Sequence, residues 1–189
     1  MKNIAIFASG SGSNAENIIK FFKKHPTIRV GLVASNNPDA RVLQRARSLS
    51  VPTVILNRID LHTNKAFRVL KKQQIHFIVL AGFLVKIPTN IISEYNQKII
   101  NIHPSLLPKH GGKGMYGRRV HEKVKSSGDT ETGITIHFVN ENYDEGTIIF
   151  QAKSTINKNA TIKTIEKKVR NLEIQFFPYI IERVINDKY

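Results

Sequence analysis

Two residues near the middle of the chain have the types and the spacing of a small reaction centre: Asn101 and His103, in the run KIINIHPSLLPKHGG from Lys98 to Gly112. An amide donates hydrogen bonds to developing negative charge, and an imidazole exchanges protons near neutral pH. Lys98, Ile99, Ile100, Asn101 and Ile102 have the apolar, β-branched character of a buried strand. That strand must stop at His103, because Pro104 has no backbone N–H with which to continue it. Side chains alternate along a strand, so Asn101 and His103 stand side by side on one face while Ile100 and Ile102 pack on the other. The pair therefore sits at a strand's C-terminal end, the edge where open α/β sheets bind ligands. An Asn and a His in a strand are more often satisfied core or edge polar groups than catalysts, and the two residues alone do not point to chemistry.

The elements that must position this strand begin with Asn3 to Ala8, an Ile-rich run with little alternation that reads as a buried parallel strand. It leads into Gly10-Ser11-Gly12-Ser13-Asn14-Ala15 and a helix from Asn14 to about Lys24. Strand, Gly-rich turn and helix start make an anion site: glycines let a ligand approach the backbone, and free N–H groups with the helix dipole favour phosphate. The hydroxyls of Ser11 and Ser13 and the Asn14 amide add donors, although a tight turn that binds nothing has the same sequence. A Walker loop is excluded because no Gly-Lys-Ser/Thr follows. The dinucleotide pattern G-x-G-x-x-A is present, but the second strand, Ile28 to Ala34, ends in Ser35-Asn36-Asn37-Pro38 instead of an acidic residue. A monophosphate fits this loop better than NAD.

A helix is expected from Asp39 or Ala40 to about Leu49, with Asp39 as its N-cap. A short third strand follows over Val51 to Leu56, then a basic helix over Thr63 to Gln73. The fourth strand, His76 to Ala81, is almost continuously apolar and hence central. Gly82 to Pro88 leaves the sheet edge as an apolar segment able to wall a flat heterocycle. Beyond the opening run, Lys113 to Arg119 is Gly-rich and basic, and Val120 to Ser126 reads as helix. Thr132 to Asn140 alternates as a strand, with Thr135, His137 and Val139 on one face and His137 read as a pairing or core histidine. Gly146 to Ala152 returns after the short turn Glu141 to Glu145, which makes an antiparallel hairpin. Residues 161–185 form a long amphipathic helix striped by Ile162, Ile165, Val169, Leu172 and Phe176, with Pro178 kinking or dividing it. The expected fold is a Rossmann-like, doubly wound α/β sheet, mostly parallel with a late antiparallel hairpin, in a single domain over 1–189.

With 29 basic and 14 acidic residues the net charge is +15, a value that suits a nucleic-acid binder. Its distribution argues otherwise: residues 1–100 carry 15 basic and 4 acidic side chains, but 101–150 carry 6 of each. The basic residues lie on helical stretches without interleaved aromatics, as solvated faces do, so no specific nucleic-acid partner is expected. The chain has no cysteine, which excludes disulfides and thiolate metal sites and suits the cytoplasm. Its histidines show no metal-binding spacing, so no metal is expected. Phe77 to Val85, the longest apolar run, is far short of the ~20 residues that cross a membrane. The apolar start is too short for a secretory segment and reads as the first strand.

The run N-x-H-P-S-L-L-P resembles the signature of the folate-dependent formyltransferases, in which a distant Asp completes the Asn and His. In HFVNENYDEG that position is Asp144. SGSGSN, LAGF, NIHPSLLPK and GITIHFVNENYDEG with QAK after it resemble the phosphoribosylglycinamide formyltransferase family over essentially the whole chain. The methionyl-tRNA formyltransferase and formyltetrahydrofolate deformylase families each carry a further domain, for which the length is expected to leave no room. The alternative of another class is a non-enzymatic basic module that binds nucleotide or RNA.

The resemblance implies transfer of the formyl group of 10-formyltetrahydrofolate to the amine of glycinamide ribonucleotide, with Asn101, His103 and Asp144 as the catalytic set. Gly12, Ser13 and Asn14 would hold the ribonucleotide phosphate, Glu173 would contact that substrate and Arg170 would assist. Leu84, Val85, Lys86 and Ile87, together with Asn140, Glu141, Asn142, Tyr143 and Asp144, would line the folate pocket. Val85 and Asn64 stand where many members have arginine, and Gly111 to Gly117 is longer than in many members. In this chemistry negative charge develops on the formyl oxygen, and Asn101 and a protonated His103 each donate to it. A free imidazole titrates near ~6.5, so a carboxylate that raises it is required, and Asp144 is the candidate. The resemblance also implies a cis bond between Leu107 and Pro108.

Overall fold

The computed structural model describes residues 1–187, so the last two positions of the expected domain lie outside the described residues. In chain order the elements are β1 (Lys2–Phe7), α1 (Ser13–Phe22), β2 (Ile28–Ser35), α2 (Arg41–Ser48), β3 (Thr53–Ile55), α3 (Arg58–His62) and α4 (Asn64–Lys72). They continue as β4 (Ile75–Leu80), α5 (Thr89–Glu94), β5 (Ile99–His103), α6 (Arg118–Ser126), β6 (Glu131–Phe138), β7 (Ile148–Thr155) and α7 (Ile162–Ile185). All seven strands form one sheet in the order β3-β2-β1-β4-β5-β6-β7. β1 to β5 pair in parallel, and β6 runs antiparallel to both β5 and β7. The architecture is the expected α/β sheet with its late hairpin, and β4 is the middle strand.

Strand alternation sorts the core onto two faces. Ile4 and Ile6 of β1 and Ile100 and Ile102 of β5 pack with Ile18 and Phe22 of α1, Val42 of α2 and Phe177 and Ile181 of α7. Ala5, Phe7 and Ile99 pack on the other side with Leu61, Leu70 and Ile91 of α3, α4 and α5. Each fully buried Ile or Phe contributes roughly 1.5–3 kcal/mol relative to exposure, so a one-residue slip in any central strand is strongly disfavoured.

Several local expectations differ from what the chain does. The N-cap of α2 is Ala40 rather than Asp39, and no side chain caps that helix. Asp39 is instead held in a turn, its N–H donating to the Asn37 side chain at 2.9 Å. Two short helices were not anticipated. α3 begins at a capping box, with Asn57 accepting from the Asp60 N–H while the Asp60 carboxylate accepts from the Asn57 N–H. α5 is a six-residue turn after Pro88, too short for an apolar period to register. β7 starts at Ile148, two residues later than expected.

Pro178 neither ends nor divides α7, which runs unbroken through it. A proline removes the N–H that would bond the carbonyl four residues earlier, here Ile174. That carbonyl accepts instead from the Asn17 side chain on α1, at 3.0 Å. The orphaned acceptor thereby becomes a link between the two helices.

Candidate active site

The strand order reverses direction between β1 and β4, because β2 and β3 lie to one side of β1 and β5 lies beyond β4. Loops leaving the C-terminal ends of these two strands diverge, which opens a crevice at the sheet edge. Its floor is tied by the Ser9 N–H, which donates to the Gly82 carbonyl at 3.0 Å, and by the Leu84 N–H, which donates to Ser9 Oγ at 2.9 Å. A cavity of about 460 Å³ occupies this crevice and extends past β5 to α6 and α7.

Asn101, His103 and Asp144 meet in that cavity. Alternation along β5 sets the first two on one face, as expected, and His103 is almost fully buried. Asp144 lies in the connection between β6 and β7, with φ at 59°, a left-handed conformation that Asp and Asn tolerate better than most residues. Its Oδ2 is 3.4 Å from His103 Nδ1 and accepts from the Gly112 N–H at 2.9 Å. Oδ1 lies 3.5 Å from Asn101 Nδ2. The other His103 nitrogen, Nε2, donates to the His110 carbonyl at 2.9 Å.

His137 completes the group. The register of β5 against β6 sets it opposite Asn101. Its Nδ1 donates to the Phe138 carbonyl at 2.8 Å, and its Nε2 accepts from Asn101 Nδ2 at 3.1 Å and stands 3.7 Å from Asp144 Oδ1. It is the pairing histidine that the alternation suggests, and its partner is Asn101. Thr135 and Gln151, which sequence reasoning left unassigned, hold the Ser105–Pro108 turn beneath the site. Thr135 Oγ1 donates to the Ser105 carbonyl and accepts from the Leu107 N–H, and Gln151 Nε2 donates to the Leu107 carbonyl. The Leu107–Pro108 bond is cis.

The electrostatics correct one expectation. Burial pushes the His103 imidazole below its ordinary value, and the opposing influence of Asp144 and of the His110 carbonyl does not offset it. The ring is therefore neutral at pH 7, not held protonated by Asp144. Burial would likewise raise the Asp144 carboxyl, but the His137 ring, His103 and the Gly112 N–H outweigh it and hold the carboxyl below the usual carboxylate range. The pair thus consists of a carboxylate and a neutral imidazole.

Gly10, Ser11, Gly12, Ser13 and Asn14 line the far end of the cavity, with Glu166, Arg170 and Glu173 of α7 across from them. Asn14 Nδ2 donates to Glu173 Oε2 at 3.0 Å, and burial pushes the Glu173 carboxyl above its ordinary value. Gly12 is needed for a reason other than ligand approach. Its φ is 75°, and a Cβ there would stand 2.5 Å from Val42 Cβ and 2.7 Å from Val42 Cα in α2. Gly10 has open space where its Cβ would be.

Of the other expected lining residues, Leu84 and Tyr143 face the cavity. Ile87 is buried in the core and Val85 packs against it, while the Lys86 ammonium sits 5.7 Å from the Tyr143 ring centre. Asn140, Glu141 and Asn142 are exposed in the turn before Tyr143, where Asn142 bonds to Asn140 and Glu145. The structure does not bring these six to the cavity wall. The Gly-rich stretch after His110 does reach it, through Gly112, Gly114, Met115, Tyr116 and Gly117. Among the described residues no group of three or more His, Cys, Asp or Glu is disposed to hold a metal ion, and no helix is long and apolar enough to cross a membrane.

The formyl transferase family model matches residues 2–181 of the chain. A phosphoribosylglycinamide formyltransferase of Bacillus subtilis is 34% identical over 191 residues, which cover 98% of this chain and 95% of that protein. A chloroplastic phosphoribosylglycinamide formyltransferase of Vigna unguiculata is 35% identical over 195 residues. That alignment covers 99% of this chain, which spans 62% of the length of the plant protein. The crystal structure of phosphoribosylglycinamide formyltransferase from Anaplasma phagocytophilum superposes with a TM-score of 0.89 at 30% identity, covering 99% of this chain and 88% of that one.

Proposed function

The chain belongs to the formyl transferase family, and on that premise we propose that it transfers the formyl group of 10-formyltetrahydrofolate to the amine of glycinamide ribonucleotide, a step of purine biosynthesis. The observation that carries this reading is the convergence of Asn101, His103 and Asp144 at one end of a cavity whose other end is the loop Gly10–Asn14. The ribonucleotide lies with its phosphate at Gly12, Ser13 and Asn14, within reach of Glu173 and Arg170. The folate lies against Leu84 and Tyr143, with Asp144 at its formyl end. Val85 and Ile87 anchor that wall to the core, Lys86 stands beside the Tyr143 ring, and Asn140, Glu141 and Asn142 form the exposed turn that leads into Tyr143. No metal takes part, and the cytoplasm is the proposed setting.

The chemistry follows from the protonation states. The amine nitrogen attacks the formyl carbon, a C–N bond forms, and the carbonyl electrons move onto oxygen. The proton that the amine loses passes to the His103–Asp144 pair, which starts without it. The ring then becomes an imidazolium beside a carboxylate, and it stabilises the oxyanion together with the Asn101 amide. Collapse breaks the bond from the formyl carbon to the folate nitrogen, which leaves carrying the proton returned by the pair.

A formyl-transfer assay tests the reading, with glycinamide ribonucleotide in one arm and charged initiator tRNA in the other. Product only with the ribonucleotide is the expected result. Transfer to the tRNA alone, or to neither, overturns it.

A further inference from the structure

Resting on the reading of His103 and Asp144 as the reacting pair, we propose that His110 and Asp129 form a clamp that positions both members of that pair. The segment Pro108 to Gly112 supplies a backbone group to each. The His110 carbonyl accepts from His103 Nε2 at 2.9 Å, and the Gly112 N–H donates to Asp144 Oδ2 at 2.9 Å. For both groups to point inward the chain must turn sharply, and His110 does so with φ at 57°. A left-handed conformation at a residue other than glycine is uncommon and carries a backbone cost, so a contact that holds it in place matters.

That contact lies on the side chain. His110 Nε2 donates to Asp129 Oδ2 at 2.6 Å, and both side chains are largely buried, at 10% and 18% exposure. Asp129 precedes β6, the strand that carries His137, so one end of the clamp is fixed to the sheet. Lys109, mostly exposed, stands 3.4 Å from the same carboxylate, and Ser105 Oγ donates to the Lys109 carbonyl at 2.7 Å. The Asp129 carboxyl is held below its ordinary value chiefly by the His110 hydrogen bond, so it is ionised at neutral pH.

The consequence for chemistry concerns the tautomer. The His110 carbonyl and the Asp144 carboxylate can both only accept, but the carbonyl makes a hydrogen bond at 2.9 Å while the carboxylate stands off at 3.4 Å, so the single proton of neutral His103 sits on Nε2. This leaves Nδ1, the atom that faces Asp144, with the lone pair that takes up a proton. Losing the carbonyl frees the proton to move to Nδ1 and removes an influence that pushes the ring's pKa upward. The titratable groups facing His103 are Asp144, His137 of β6, the His110 ring, which pushes its pKa slightly down and is retained in the Asp129 variant, and His121 of α6. His110 and Asp129 are thus positioning residues, since neither side chain lines the cavity.

The test uses the intact chain, with His103 observed by nitrogen-15 NMR of histidine-labelled protein without substrates. His110→Asn keeps a residue suited to the left-handed backbone but is too short to reach Asp129. Asp129→Asn removes the charge at constant shape. In both variants the His103 signal should move from the Nε2-protonated tautomer toward a mixture, and its titration midpoint should fall. Turnover should drop on the order of ten- to a hundredfold, the weight of one hydrogen bond to a charged group, with both KM values within about twofold. His110→Gln retains a donor toward Asp129 and should restore signal and turnover, since glutamine already adopts the same backbone region at Gln74 and Gln97. An unchanged His103 tautomer and titration in both variants overturns the clamp, even where the melting temperature falls. Absence of formyl transfer by the parent chain, with the NMR response intact, removes the proposed reaction and leaves the clamp standing.

Discussion

Replacing Asp144 with asparagine isolates the charge that the proposed mechanism depends on. The substitution keeps size, a residue suited to φ of 59°, and an oxygen to accept from the Gly112 N–H, so the fold should survive. What disappears is the attraction between a carboxylate and the imidazolium 3.4 Å away that forms as the amine loses its proton. At that separation and an effective dielectric of ~20 the attraction is on the order of 5 kcal/mol, equivalent to roughly several thousandfold in rate. In the ground state His103 is neutral, so the loss falls on turnover, and both KM values should change far less.

The pH profile tests the same reasoning independently. The competent pair is unprotonated, so turnover should be lost on the acid side as pH falls through the His103 pKa, which burial holds below the ordinary imidazole value. Asp144 pushes that pKa upward, and Asp144→Asn should therefore displace the acid limb to lower pH. Single-turnover formyl transfer across a pH series reads both quantities. His103→Ala should lose about as much as Asp144→Asn, and the double variant little more, because the two act as a unit. Normal turnover in Asp144→Asn, or a wild-type profile that fails on the alkaline side instead, would refute the argument.

Three shorter expectations follow from the same geometry. Gly10→Ala should raise KM for the ribonucleotide without changing the melting temperature, whereas Gly12→Ala should lower the melting temperature because its Cβ collides with Val42; equal melting temperatures would contradict the packing. Glu173→Gln should raise KM for the ribonucleotide by roughly tenfold and leave that for the folate unchanged, as loss of one charged hydrogen-bond partner does; a matching rise for the folate would take Glu173 out of the ribonucleotide end. Asn57→Ala removes the capping box of α3 and should cost about 1 kcal/mol, a fall of roughly 2–4 °C in calorimetry. No shift there would mean that α3 is held by Leu61 in the core and not by its cap.

What could be read from the sequence divides along physical lines. Strands such as β1, β4 and β5 announce themselves because a buried parallel strand must be an apolar run, and the side-by-side placement of Asn101 and His103 follows from a period of two. Boundaries were weaker. Asp39 has the chemistry of an N-cap, yet Asn37 holds its backbone in a turn and the helix starts one residue beyond Ala40. The α3 capping box is present in the sequence as Asn57 and Asp60, but it departs from the usual Ser/Thr with Glu/Gln pattern and encloses only five residues. The partners of His137, Thr135 and Gln151 were out of reach for a different reason. Each contributes through cross-strand register, and one sequence carries no information on which residue of β6 stands opposite Asn101.

The protonation state of His103 shows why contact alone does not determine chemistry. Sequence reasoning places a carboxylate beside an imidazole and expects a charged ring, which holds when both groups are solvated. In this cavity the ring is buried on the strand face it shares with Thr135 and His137, and charging it there costs more than one carboxylate returns. That cost has a catalytic use. A pair that was already protonated would hold its electrostatic stabilisation in the ground state, and nothing further would be gained as the formyl oxygen became negative. A pair that becomes charged only when the amine gives up its proton delivers that stabilisation in the transition state, where it accelerates the step. The burial of His103, the clamp that fixes its tautomer and the His137, His103 and Gly112 N–H contacts that keep Asp144 ionised all act toward that single difference.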